Sequence, residues 1–144
     1  MKINLMSEQN VNSVKEIEDE CFSNPWSLQS FVNELSKVGA YFYVAEECGE
    51  ALGYIGFNTV LDEGYIANVA VKKNHRGKGI AKLLLNKVIE KAKEVNLSFV
   101  TLEVRKSNEI AIGLYKSYGF EVQGARKNFY RNPQEDGLIM TKFL

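Results

Sequence analysis

Residues Tyr65-Ile66-Ala67-Asn68-Val69-Ala70-Val71, Lys72-Lys73-Asn74-His75-Arg76-Gly77-Lys78 and Gly79-Ile80-Ala81-Lys82-Leu83-Leu84 run consecutively, and their reading decides the fold. The first block is rich in β-branched and aromatic residues and predicts a strand over Tyr65 to Val71. The second is a polar, basic turn. The third opens a long helix, from about Gly79 to Val95, with Ile80, Leu83, Leu84, Val88, Ala92 and Val95 as its apolar stripe. Phe99 to Val104 is again strand-like. Strand, glycine-rich turn, helix and strand make a crossover unit, so its two strands are expected to be parallel within a mixed sheet.

Upstream, Lys2 to Leu5 alternates polar and apolar residues, as a short strand does. Val11, Val14, Ile17 and Cys21 recur at helical spacing. Asn24-Pro25-Trp26 breaks that helix, because the residue before a proline avoids the α region. Ser27 suits the N-cap of a second helix carrying Leu28, Phe31, Val32 and Leu35 on one side, with Gly39 as its stop. Ala40 to Glu46 and Ala51 to Val60, joined at Cys48-Gly49-Glu50, predict a hairpin, and Asp62-Glu63-Gly64 turns the chain into the Tyr65 strand. Downstream, Asn108 to Tyr118 predicts a helix ended by Gly119, followed by strands at Phe120 to Gln123 and Leu138 to Phe143.

A length of 144 residues suits one domain, expected to span residues 1–144. Hydrophobic residues make up 45% and charged residues 25%, the ordinary globular mix, so no large disordered part is expected. Basic and acidic residues balance at 18 each, which argues against a general polyanion binder and against direct nucleic-acid binding. Cys21 and Cys48 are far apart in sequence and have no ligand partners nearby, so neither a metal site nor a disulfide is expected, and free thiols suit a cytoplasmic location. Met1 to Asn10 lacks a signal-peptide pattern, and no apolar run approaches the ~20 residues of a membrane span. The single His75 cannot supply a multi-histidine metal centre.

The turn carries the first chemistry. A helix start presents free backbone N–H groups and a partial positive charge. Gly77 and Gly79 let that backbone approach an anion, and Arg76 and Lys78 add full charge, a combination that suits a pyrophosphate. Alone, the turn is equally compatible with a solvated glycine loop. It is neither a P-loop, whose glycine spacing and hydroxyl are missing, nor a dinucleotide fingerprint, whose third glycine is absent. Glu103 ends the Phe99 strand on the same face as Phe99 and Thr101, and a carboxylate there can take a proton from an ammonium or stand as a simple strand-end charge. Asn108, Ile112 and Tyr115 share one helix face, so an amide and a phenol can face one cleft. The other reading is a helix cap and a core tyrosine.

The order of these parts resembles the GNAT superfamily of N-acetyltransferases, with Arg76, Gly79 and Ala81 matching its Gln/Arg-x-x-Gly-x-Gly/Ala cofactor motif. The flanks sharpen the resemblance. Cys21-Phe22-Ser23-Asn24-Pro25-Trp26-Ser27, Leu102-Glu103-Val104-Arg105-x-Ser107-Asn108, Arg126-x-Asn128-Phe129-Tyr130 and Glu135-Asp136-Gly137-Leu138-Ile139-Met140 are similar to the bacterial ribosomal-protein alanine N-acetyltransferases of the RimI type. Small departures are Ala81 for glycine, Gly113 inside a helix, and Phe129 where a tyrosine is frequent.

The resemblance implies an α/β fold of the mixed α+β kind: a mostly antiparallel central sheet flanked by helices, with one splayed parallel strand pair. It implies acetyl-coenzyme A as cosubstrate and no metal. Val69, Ala70 and Val71 would hold the acetyl-pantetheine arm through their backbone. Gly77, Lys78, Gly79, Ile80, Ala81 and Lys82 would wrap the pyrophosphate beside Arg76, and Asn108 would bond the cofactor arm. Glu103 would be general base and Tyr115 general acid. The segment Arg126 to Asp136, with Trp26 and Tyr130, would line an acceptor groove. The acceptor would be the N-terminal alanine of a ribosomal small-subunit protein, and the enzyme a monomer or weak dimer. Neither cysteine is expected near the site. The alternatives are a GNAT enzyme for a small amine, a non-catalytic acetyl-coenzyme A-binding module, and a toxin-type enzyme acting on charged transfer RNA, the last at odds with the zero net charge.

Overall fold

A computed structural model describes residues 1–144. The elements, in chain order, are β1 (Lys2–Leu5), α1 (Val11–Cys21), α2 (Leu28–Glu34), β2 (Ala40–Glu47), β3 (Glu50–Val60), β4 (Glu63–Val71), a 3-10 turn (Lys73–His75), α3 (Ile80–Glu94), β5 (Phe99–Arg105), α4 (Glu109–Ser117), β6 (Glu121–Tyr130) and β7 (Glu135–Phe143). They form a seven-stranded sheet in the order β1-β2-β3-β4-β5-β7-β6. Every neighbouring pair is antiparallel except β4 and β5, as the crossover through α3 requires.

Each face of the sheet carries its own core. Leu84, Leu85 and Val88 of α3 pack with Ile55, Phe57, Val100 and Leu102 on one face, and Tyr115 and Phe120 extend that cluster under α4. On the other face Val14 and Ile17 of α1 and Phe31 of α2 pack with Phe42, Val44 and Tyr54. Phe31 is the hub of this second cluster: its ring meets Tyr54 edge-on at 5.6 Å, Phe42 at 6.4 Å and Trp26 at 5.3 Å. Glu18 is buried here as well. Its carboxylate accepts the Tyr54 hydroxyl and the Trp26 N–H (2.9 Å), and burial raises its pKa above the ordinary value.

The helix starts follow their caps. Ser27 Oγ accepts from Ser30 N–H (3.1 Å) at α2, and Asn108 Oδ1 accepts from Ala111 N–H (3.2 Å) at α4. The α2 helix ends at Glu34, short of Gly39, which instead turns the chain into β2 at φ +85°. The stripe of α3 is Ile80, Leu84, Leu85, Val88 and Ala92, with Leu83 and Val95 exposed, so the expected stripe is corrected at two positions. At 100° per residue Leu83 lies roughly 130° from the stripe's centre and Leu85 only about 70°, while Val95 falls beyond the last turn. The strand expected at Phe120 to Gln123 runs on to Tyr130, and its partner begins at Glu135. Being an edge strand exposed along most of its length, β6 carries no alternation to betray it.

Shortening Phe31 to alanine is expected to lower stability by about 3–5 kcal/mol, because a cavity opens under three rings at once. Urea unfolding measures this as a lower midpoint with an unchanged slope.

Candidate active site

The site is a break in the sheet. β4 and β5 pair only from Glu63/Phe99 to Ile66/Leu102. Immediately beyond, Ala67 bulges: Ile66 pairs with Phe57 and Asn68 with Gly56, leaving Ala67 unmatched. A bulge bends its strand and shifts its side-chain parity. β4 therefore leaves β5, and Val69 and Val71 pack on the α3 face while Ala70 packs on the α1 face.

The register says which backbone groups face the gap. Lys72 N–H donates to Leu52 O (2.8 Å), so the Val71/Gly53 pair is of the non-hydrogen-bonded kind. By alternation Val69 and Val71 turn their N–H and C=O away from β3 into the gap, and Ala70 spends its own on Tyr54. Of the three backbones expected to hold a ligand arm, the register leaves the N–H and C=O of Val69 and the N–H of Val71 unpaired toward the gap, while Ala70 pairs with Tyr54. Val71 O accepts from Arg76 Nε (3.1 Å) and Cys21 Sγ (3.4 Å), and Arg76 Nη2 also reaches Cys21 Sγ (3.4 Å). Cys21 thus lies directly behind the gap, contrary to the expectation from sequence distance. Arg76 folds back to brace Val71, and Lys73, Lys78 and Lys82 keep exposed, unpaired charges around the turn.

Gly77 and Gly79 sit at φ +80° and +82°, a region an L side chain rarely enters. A Cβ at either position would meet nothing within 4 Å, so the constraint is conformational rather than steric. Every backbone N–H from Gly77 to Lys82 lacks an acceptor within the chain, and no side chain caps α3, whereas α2 and α4 are capped. These residues fit a diphosphate: unpaired donors converge at an open, basic helix start.

Glu103 is nearly enclosed, its side chain 11% exposed. Its Oε2 accepts the Tyr65 hydroxyl, and Arg126 Nη1 lies 3.6 Å from Oε1. Its surroundings are polar on both sides. Tyr115 is buried against Phe120, with ring centroids 5.8 Å apart, and belongs to the opposite face of the sheet from Glu103. Burial pushes its phenol up to about 12, with nearby Tyr130 adding to the effect. Tyr130 is also pushed up to about 12, by burial first and Glu103 next. Asn108 is a helix cap whose Oδ1 is spent, leaving only its amide N–H groups for a ligand.

The segment beside the gap is a hairpin. Arg105 stacks on Tyr130 (4.5 Å) and donates to the carbonyls of Pro133 (2.8 Å) and Arg131 (3.0 Å), fixing the β6–β7 turn. Glu135 accepts from Ser107 N–H (2.6 Å), which with Arg105 holds its carboxyl below the usual range. This turn reaches the α1–α2 loop: Ser23 Oγ donates to Asn132 O (2.9 Å), and Asn132 Nδ2 donates to Asn24 Oδ1 (3.0 Å). Trp26, expected at the groove, turns into the core against Phe31 and Phe42. Tyr65 went unassigned in the sequence, and Arg126 was expected only as part of the groove; pairing Tyr65 with Thr101 in parallel register is the signal that sets Tyr65 beside Glu103.

A family model described as the acetyltransferase (GNAT) family matches residues 11–120. The chain belongs to the GNAT family. It is an acyltransferase of a family whose acyl donor is acetyl-coenzyme A. It is 39% identical over 136 residues to a Bacillus subtilis protein provisionally named a ribosomal protein bS18-alanine N-acetyltransferase, covering 94% of this chain and 90% of that one. The crystal structure of the ribosomal-protein-S18-alanine N-acetyltransferase from Escherichia coli superimposes with a TM-score of 0.91 at 27% identity, covering 99% of this chain and 92% of that one. The NatC complex bound to Gag peptide and CoA contains a chain matching at a TM-score of 0.83 and 26% identity, covering 100% and 99%.

Two outcomes are expected. Gly79→Val should weaken coenzyme A binding at least about tenfold by titration calorimetry while circular dichroism stays native, because a β-branched residue resists positive φ. Tyr115 keeps its proton to about pH 12 when folded but only to about pH 10 when unfolded. Its contribution to stability is thus complete below pH 10 and is lost as pH rises toward 12. Melting temperatures between pH 9 and 11 should fall less steeply in Tyr115→Phe.

Proposed function

We propose that this chain acetylates the N-terminal α-amine of a protein, most specifically the N-terminal alanine of a ribosomal small-subunit protein, by direct transfer. What carries the reading is the open break between β4 and β5, with Glu103 on one face and Tyr115 on the other. The names of the Bacillus and Escherichia relatives support the choice of acceptor.

Gly77 to Lys82 bind the diphosphate through their free N–H groups, and Val69 and Val71 bind the pantetheine arm along their open backbone edge. Val71 N–H lies where it can donate to the thioester oxygen as charge develops there. Glu103 takes one proton from the α-ammonium. The neutral amine forms the C–N bond, and the C–S bond breaks. Tyr115 gives its proton to the departing sulfur and recovers one from the nitrogen. Two protons thus leave the original ammonium: one ends on the thiol and one passes from Glu103 to solvent. An α-amine begins near pKa 8 and a lysine side chain near about 10.4, so deprotonating the former costs less. Tyr115, held at about 12, remains a donor throughout the working range.

Glu103→Gln and Tyr115→Phe should each lower kcat by about a hundredfold or more with coenzyme A binding nearly unchanged, a loss typical of removing a general acid or base. Full activity in both variants would overturn the assignment. Mass spectrometry of acetyl transfer to peptides beginning with Ala, Ser, Met or Gly, with spermidine as control, decides the acceptor. Preference for spermidine would replace a peptide acceptor with a small amine, and coenzyme binding without transfer to any of them would mark a binding module.

A further inference from the structure

We propose that Tyr65 is a positioning residue for the transfer reaction, holding the Glu103 carboxylate in its working orientation from across the break in the sheet. The inference rests on the assignment of Glu103 as the base. Tyr65 is in register with Thr101, and Glu103 lies one same-face step further along β5, about 6.6 Å away. A phenol spans that step, and its hydroxyl donates to Glu103 Oε2. Beyond Ile66/Leu102 no ladder joins the two strands, so no β4 backbone is paired beside Glu103 and its side chain takes its restraint from side chains on the same face. Without a tether its carboxylate would sample several rotamers.

Two groups restrain it. Arg126 of β6 approaches Oε1 at 3.6 Å from a side chain 57% exposed, the geometry of a weak, solvent-screened pair. Tyr65 makes the direct hydrogen bond and is the stronger restraint. Tyr65 belongs to neither core cluster and is 37% exposed, so packing alone does not account for a large aromatic residue at this place. Burial first, and the Glu103 contact next, push its pKa far above 10, so the phenol is a donor at every working pH. A carboxylate has about four lone-pair positions. Tyr65 and Arg126 occupy two, from opposite sides, and the remainder stay available to an incoming ammonium. Tyr65, Arg126 and Tyr130 are the titratable or charged groups set around the carboxylate.

The test is a double-mutant cycle with Tyr65→Phe, which deletes only the hydroxyl, and Glu103→Gln, assayed on an alanine-initiated peptide. Tyr65→Phe should lower kcat about tenfold, leave the KM for acetyl-coenzyme A within about twofold, and move the acid limb of kcat/KM to higher pH, since an ionised carboxylate loses a donor. On the Glu103→Gln background the same change should have no further effect. An equal loss on both backgrounds, or an unchanged rate and pH profile in Tyr65→Phe, overturns the proposal. Full activity in Glu103→Gln alone overturns the base assignment, and with it this inference. A melting temperature equal to that of the parent chain separates either result from misfolding.

Discussion

The candidate site depends on four residue pairs of parallel ladder that stop at Ile66/Leu102. A continuous sheet would satisfy its own backbone and offer nothing to a ligand. The bulge at Ala67 ends the pairing, turns Val69 and Val71 toward α3, and leaves the N–H and C=O of Val69 and the N–H of Val71 unpaired on the open side. The two strands stay anchored on their outer sides, β4 to β3 and β5 to β7, so the wedge is held open by sheet on both flanks. Leaving polar backbone unpaired in a protein costs free energy unless a partner arrives. In the proposed reaction that partner is the acyl donor's amide-bearing arm.

The arrangement also sets the proposed base and the proposed acid on different faces. Strand alternation gives β5 its buried residues Val100, Leu102 and Val104 on the face shared by α3 and α4, so Glu103 must project the other way. Tyr115, on α4, approaches from the first face. In the proposed reaction, a carbonyl held between them would meet a proton acceptor on its attacking side and a proton donor on its leaving side. The brace behind Val71, made by Arg76 and Cys21, fixes the strand end from which the carbonyl would be polarised.

Much of this was legible in the sequence. The strand–turn–helix–strand order around Arg76 to Ala81 foretold the parallel pair, and the caps at Ser27 and Asn108 fell where expected. What escaped did so for physical reasons. The strand from Gly124 to Tyr130 is an exposed edge and has no buried side to imprint a pattern. The bulge at Ala67 reverses parity within a single strand, which alternation cannot reveal, so the roles of Val69, Ala70 and Val71 could not be told apart. Cys21 and Val71 are distant in sequence and meet only because α1 crosses β4. Tyr65 was read as a strand residue alone, because its meaning lies in its register with another strand.

A strand edge left open for a small molecule is also open to another strand. Val69 and Val71 present the unsatisfied groups that seed edge-to-edge association in other β proteins. The exposure is confined to two alternate residues inside a narrow wedge, too short for a foreign strand to zip onto. An acyl donor seated in the wedge as proposed would close even that opening and bind only the folded chain, so each multiple of its dissociation constant would add to folding stability. In a cell, the supply of activated acetyl groups would then govern how long this protein survives as well as how fast it works.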